Sequence, residues 1–251
     1  MYDNKLYQEI KASAKLEELV HSFWTHKNVM DEPQTITIVP DSFFKIIFLV
    51  QEECIVKYFM TGLWTEQKEF TIPPNTTSFG CRLKILAPEF LIQKEIASIS
   101  NDIKPLDLAY LNIETFDLTN FLNVVQQWED ELMKLLLNKP IPKNKLLLSQ
   151  LLYKTNGALS ASEISTQIFW TNRQINRYLN KFIGIPLKRY LNIQKCYEAY
   201  LRIQKGKLAP EKNFFDQAHF IREIKKHTGE TPKSLFKHQN DRFIQLRNIK
   251  E

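Results

Sequence analysis

Shifting the sequence by 45 residues lays TNRQINRYLNKFIGIPLKRY, residues 171–190, on DQAHFIREIKKHTGETPKSL, residues 216–235, in the same phase. Arg177 falls on Arg222, Lys181 on Lys226, Gly184 on Gly229 and Lys188 on Lys233, while apolar Ile175 and Leu179 fall on Phe220 and Ile224. A repeat of this length restricts the C-terminal part of the chain to a supersecondary unit present twice. At about 100° per residue, Ile175, Tyr178, Leu179 and Phe182 share one side of the first copy, and Arg173, Asn176, Arg177 and Asn180 share the other. Solvated helix surfaces usually mix charges of both signs. This outer face carries only Arg and Asn, which pair well with guanine and adenine edges. In the second copy Ala218, Arg222 and Lys225 share the outer face, with Gln217, His219 and Lys226 near its borders. A lone histidine such as His219 reads as a packing or capping residue rather than a ligand or catalyst.

Thr171 is placed to cap the first of these helices, and in LSASEISTQIF Ser160 and Glu163 form a capping-box pair with Ile164 and Ile168 facing inward. Helix, short turn and basic helix make a helix-turn-helix. In the second copy Gly229 suits a helix stop, and Thr231-Pro232 suits a new start.

Charge is divided along the chain. Residues 156–251 hold 18 Lys and Arg against 8 Asp and Glu, a net of +10, whereas residues 1–155 hold 16 against 20, a net of −4. A basic segment joined to an acidic one points to a polyanion partner for the C-terminal part, and solvation of helix surfaces by lysine accounts for the charge equally well. The texture divides too. Between Gln34 and Leu86 lie QTITIVP, FFKIIFLV, CIVKYFM, KEFTIP and FGCRLKIL, broken by Pro40-Asp41, Glu52-Glu53, Thr61-Gly62 and Pro73-Pro74-Asn75. Such short β-branched and aromatic runs predict a compact β sandwich or barrel. Leu16, Leu19, Val20 and Phe23 predict a short helix ahead of it, and no strand is expected after Ala87. Leu122, Val125, Trp128, Leu132 and Leu135 or Leu136 predict a helix within 118–138, and the prolines of residues 138–143 predict a linker. The fold expected is α+β, with a domain over residues 1–138 and a helical domain over 139–251.

Cys54, Cys81 and Cys196 suggest neither a disulfide framework nor a metal knuckle, the composition fits a cytoplasmic protein, and no apolar run reaches membrane-spanning length. No Gly-rich phosphate loop, metal cluster or paired nucleophile and base is evident, so no enzyme, cofactor or metal is expected.

The segments FDQAHFIREIKKHTGETP, residues 215–232, and TNRQINRYLNKFIGIPLKRYL, residues 171–191, resemble the C-terminal DNA-binding domain of bacterial AraC/XylS-type transcription regulators. The resemblance covers roughly the last 95 residues and implies two helix-turn-helix units joined by a long helix, here LKRYLNIQKCYEAYLRIQKG, residues 187–206. It implies recognition helices over 171–183 and 216–228 in successive major grooves. Base contacts would come from Arg173, Asn176 and Arg177, then from Gln217, Ala218, Ile221 and Arg222. Lys181, Lys188, Arg189, Lys225 and Lys226 are candidate phosphate contacts. One departure stands out: KGKLAPEKNF, residues 205–214, carries Gly206 and Pro210 where the family has a full helix, so the second unit reads as abbreviated, with Phe214 and Phe215 as candidate anchors.

HSFWTHK, IVPDSFFKIIFLV and GLWTEQKEFTIPP more faintly resemble the cupin-like sensor barrel that precedes such domains. His21 and His26 are expected ahead of the first strand, so the strands would hold no metal set. Trp24, Phe43, Phe48, Phe59, Trp64 and Phe79 are candidate pocket residues, and plain core positions are the competing reading. The function expected is sequence-specific transcription regulation, with the N-terminal barrel as a ligand-sensing or dimerisation module without metal, and a barrel that binds nothing and serves only for association is the competing reading. Double-stranded DNA is the main partner, and a small-molecule effector, RNA polymerase and a second copy of the chain are further candidates. The alternative is a small-molecule-binding or enzymatic barrel whose helical half serves oligomerisation or partner binding.

Overall fold

A computed structural model describes residues 6–136, 140–210, 214 and 216–237. Eight strands come first: β1 Tyr7–Lys11, β2 Val20–Asn28, β3 Gln34–Ile38, β4 Phe44–Gln51, β5 Cys54–Thr61, β6 Lys68–Ile72, β7 Thr76–Leu83 and, beyond a short helix α1 at Ala87–Phe90, β8 Ile103–Pro105. Six of them form an antiparallel sheet in the order β1-β2-β7-β4-β5-β8, and β3 and β6 form a separate ribbon. The five strands expected between Gln34 and Leu86 are all present. The helix expected around Leu16 to Phe23 is not. Leu16, Leu19, Val20 and Phe23 are buried as expected, but Val20–Asn28 is a strand paired with Thr76–Leu83. His21 and His26 therefore lie within a strand, and β8 adds a strand after Ala87.

The near-continuous apolar run FKIIFLV of β4 follows from burial on both faces of the sheet. Even-numbered Ile46, Phe48 and Val50 face α2, the helix Phe121–Leu135, while odd-numbered Lys45, Ile47 and Leu49 face the ribbon. Fully buried Trp128 of α2 sits against this first face, with ring centroids 5.2 Å from Phe48 and 5.7 Å from Phe23. The inward stripe of α2 is Phe121, Val124, Val125, Trp128 and Leu132. Val125, Trp128 and Leu132 are buried as expected, but Leu122 is 68% exposed, because it lies about 120° around the helix from Trp128 while Phe121 and Val124 fill that edge of the stripe.

The remaining helices are α3 Lys143–Thr155, α4 Ala161–Ile168, α5 Asn172–Phe182, α6 Leu187–Gln204, α7 Gln217–Thr228 and α8 Pro232–Lys237. Pro142 stands at the start of α3, where its missing N–H is no loss. Residues 138 and 139, where the expected domain boundary falls, lie outside the described residues. On either side of it the packing is shared: one hydrophobic cluster runs from Leu16 and Phe48 of the sheet domain to Ile175, Leu179 and Tyr190 of the helices. A hydrogen-bond chain crosses the same interface. The Ile85 amide donates to Tyr153 Oη at 3.0 Å, the two hydroxyls of Tyr153 and Tyr190 are 2.8 Å apart, and Tyr190 Oη donates to the Ser42 carbonyl at 2.9 Å. Since each hydroxyl has one proton, Tyr153 donates to Tyr190, and all four groups are satisfied.

Candidate nucleic-acid interface and effector cavity

The repeat is realised as two equivalent helix beginnings. Thr171 Oγ1 accepts from the Gln174 amide at the start of α5, and 45 residues on the Asp216 carboxylate accepts from the His219 amide at the start of α7. Gly184 and Gly229 follow the two helices at φ of 87° and 73°, backbone that favours glycine, and α6 and α8 then begin at the equivalent residues 187 and 232. Ahead of α5, Ser160 and Glu163 form the expected capping box on α4, whose Ile164 and Ile168 are buried. A three-residue turn, 169–171, joins the two helices. Ahead of α7 the described residues 205–210, 214 and 216 contain no helix. Phe214 instead packs on the second copy with its ring 5.0 Å from Phe220 and 5.9 Å from His219. Phe215 lies outside the described residues.

Arg173, Arg177 and Lys181 of α5 are exposed, as are Gln217, Ala218, Arg222, Lys225 and Lys226 of α7. No acidic side chain lies on α5. The single acid of α7, Glu223, is half-buried and accepts from Asn192 Nδ2 at 2.5 Å. Both outer faces are thus cationic. Other expected contact residues have work inside the fold: the half-buried Asn176 accepts from the Leu187 amide at 2.8 Å, which ties α5 to the start of α6, and Ile221 packs on the second hydrophobic cluster. Arg189 donates to Thr65 Oγ1 at 2.8 Å, Lys181 stands 3.7 Å from Glu95, and Lys188 is exposed on the first turn of α6.

The sheet domain holds the C-terminal ends of the two helices. The Ile96 amide donates to the Phe182 carbonyl at 2.9 Å, a Cβ on Gly184 would lie 3.0 Å from the Ala97 backbone, and one on Gly229 would lie 2.9 Å from Gln67 Nε2. At the opposite ends Asn172, Arg173, Gln217 and Ala218 are exposed.

Between the large sheet and the ribbon lies a cavity of about 420 Å³, predominantly apolar, lined by Trp24, Ile36, Phe59, Trp64, Phe70 and others. Of the six aromatic residues considered for a pocket, Trp24, Phe59 and Trp64 line it. Phe48 and Phe79 point through the sheet to the α2 side, and Phe43 lies against His21 and Tyr153. Gly80 makes room for Trp24: a Cβ there would lie 2.1 Å from the indole ring. The cavity has a charged wall. Lys45 Nζ donates to Asp41 at 2.9 Å, Arg82 pairs with Glu9, and Arg82 Nε is 4.0 Å from the second Asp41 oxygen. Tyr7 donates to Glu9 at 2.8 Å and stacks on Trp24. Burial lowers the Lys45 pKa, and its contact with Asp41 opposes that shift. Glu9 is held below the usual carboxylate range, its burial outweighed by Arg82, Ser22 and Tyr7 together.

Arg82 and Glu9 also face a smaller crevice, about 310 Å³, between the sheet domain and α3 and α6, together with His21, Tyr153, Gln194 and Glu198. Burial, with Arg82 adding to it, brings the His21 pKa down to about 4. One further cluster was not expected from the sequence. Donor atoms of Cys196 on α6 and of Glu223 and His227 on α7 lie within 4.8 Å of one another. The signal available was the four-residue spacing of Glu223 and His227, which puts both on one helix face. Nothing local links them to Cys196.

A domain family of unknown function, DUF6597, matches residues 8–103. No curated protein sequence matches the chain. Among solved structures, ToxT from Vibrio cholerae O395 is 10% identical, with 95% of this chain and 100% of that one covered at a TM-score of 0.44. The same protein bound to (E)-4-(8-methylnaphthalen-1-yl)but-3-enoic acid is 13% identical, with 87% and 99% covered and a TM-score of 0.44. Unsaturated fatty acid bound ToxT from Vibrio cholerae strain SCE256 is 11% identical, with 85% and 94% covered and a TM-score of 0.40.

Proposed function

We propose that this chain is a sequence-specific DNA-binding transcription regulator of the AraC/XylS type, with a small-molecule effector held in the N-terminal cavity. The observation that carries the reading is the pair of capped helices, α5 and α7, in equivalent positions of a 45-residue repeat with acid-free exposed faces. Arg173 and Arg177 on α5, and Gln217 and Arg222 on α7, are the base-reading candidates. Ala218 offers apolar contact to a thymine methyl. Asn176 and Ile221 act mainly by fixing the helices on which the others stand, while Lys188, Lys225 and Lys226 meet phosphates. Lys181 and Arg189 are nearer to the sheet domain and are candidates for phosphate contact only with their present partners, Glu95 and Thr65, given up.

The effector reading rests on the cavity's size and apolar lining, in the range that holds small ligands. A ligand there would touch the ribbon, β4 and the Lys45–Asp41–Arg82 wall. Arg82 of that wall also borders the crevice against α6, which gives the effector a physical route to the helical domain.

The test is selection from a pool of random duplexes at moderate salt, with the bound fraction sequenced. Enrichment of one motif, with affinity falling steeply as salt rises, is the result expected. Recovery of unenriched DNA both with and without small apolar compounds would refute the reading.

A further inference from the structure

The second unit has a particular mechanical problem. Among the described residues its recognition helix α7 has no counterpart of the helix α4 that supports α5, and it rests on a hydrophobic cluster of its own, separate from the main core and built from α6, α7, α8, Phe214 and Val39. Small cores of this kind are commonly reinforced by a disulfide or a metal. Cys196, Glu223 and His227 sit where such a reinforcement would act, at the contact between α6 and α7.

We infer that Cys196, Glu223 and His227 form a site for a zinc-type divalent metal that fastens α7 to α6. Their donor atoms already lie within 4.8 Å of one another, and tetrahedral zinc requires separations of roughly 3.5 Å, a closure within reach of side-chain rotation. A sulfur, an imidazole nitrogen and a carboxylate oxygen select a borderline metal such as zinc over magnesium or calcium. The imidazole is under-used in the fold as it stands: His227 is 4% exposed, and its Nδ1 has no hydrogen-bond partner, while Nε2 is 3.3 Å from Asn192 Nδ2. A second layer is present around the donors. Asn192 donates to Glu223, and the Tyr200 hydroxyl adjoins the Cys196 sulfur. Burial pushes the Cys196 thiol up to about 12, so the metal must displace its proton. The Glu223 carboxylate adds to the effect of burial, and Tyr200, Lys195 and Lys226 oppose it. The metal joins residues from two helices and excludes arrangements in which α7 slides on α6. Its consequence for DNA binding rests on the function proposed above, whereas the metal site itself does not.

The experiment uses the full chain with exposed Cys54 replaced, C54S, titrated with cobalt(II) as a spectroscopic substitute for zinc. One cobalt per chain, a thiolate-to-cobalt charge-transfer band in the near ultraviolet and its displacement by zinc are expected. Cys196→Ala should abolish the band, and Glu223→Gln, at a half-buried position, should weaken binding by about tenfold or more. Zinc should also slow amide exchange in α7 and leave α4 and α5 unchanged. No charge-transfer band, or a band that survives Cys196→Ala with the fold intact by circular dichroism, would overturn the inference. Cobalt binding is read without DNA, so a failed duplex selection and a failed metal titration are separate results.

Discussion

Acidification should loosen the crevice between the two halves of this protein through His21. The ring is stacked on Phe43 at 4.5 Å between centroids and lies in the crevice with Arg82 and Glu9, while Lys84 and Asp41 also act on its charge. Its folded pKa of about 4 is below the ordinary value of 6.5, so between those limits the unfolded chain binds the proton more readily. The associated stability is present above about pH 6.5 and is lost as pH falls through 4. A shift of that size corresponds to roughly 3 kcal/mol when fully expressed, and at about pH 4.5, with partial solvent screening, about 2 kcal/mol should be gone. His21→Phe preserves a ring against Phe43 and removes the titration. Denaturant unfolding of both proteins at about pH 7 and about pH 4.5 measures the difference: the parent should lose about 2 kcal/mol more than the variant. The buried His227 is common to both and cancels. Equal losses in the two proteins would refute the assignment of a neutral, half-buried His21.

Arg177→Ala should weaken binding to a selected motif by about 1–3 kcal/mol and leave random duplex nearly unaffected. Equal losses measured by fluorescence anisotropy would make Arg177 a phosphate contact instead. Lys188→Ala should weaken both duplexes alike and make the salt dependence shallower, and an unchanged slope would remove it from the interface. Gly80→Ala drives a methyl group into the Trp24 indole, so it should shift tryptophan fluorescence and lower stability by about 1–3 kcal/mol, checked by thermal melting. Tyr190→Phe breaks the hydrogen-bond chain between the halves and should destabilise the protein by about 1–2 kcal/mol, whereas no change in the denaturant midpoint would mean that Tyr153 and Ser42 find other partners.

The helical half was legible because its signals are short in range. Thr171 and Asp216 at helix starts, the Ser160–Glu163 box, and Gly184 and Gly229 at the stops all act within a few residues of themselves. Helix bounds expected at 171–183, 187–206 and 216–228 accordingly differ from the observed ones by at most two residues. The same locality misled at the N-terminus. Leu16, Leu19, Val20 and Phe23 have helical spacing, yet their burial comes from turns and from a strand whose partner is about sixty residues away.

By itself, then, the sequence determined the division into a sheet-forming half and a basic helical half, the repeat, its caps, and the non-helical course of the described residues before α7, since each is set by backbone preferences and hydrogen bonds closed within one or two turns. Only the tertiary structure decided which aromatic residues line the cavity, because a strand alternates faces and its register is fixed by pairing with distant strands. It alone joined the two halves through the Tyr153–Tyr190 chain and brought Cys196 to Glu223 and His227. Those meetings depend on how helices and sheets pack, and packing is decided by shape and burial across the whole molecule, which no local stretch of sequence contains.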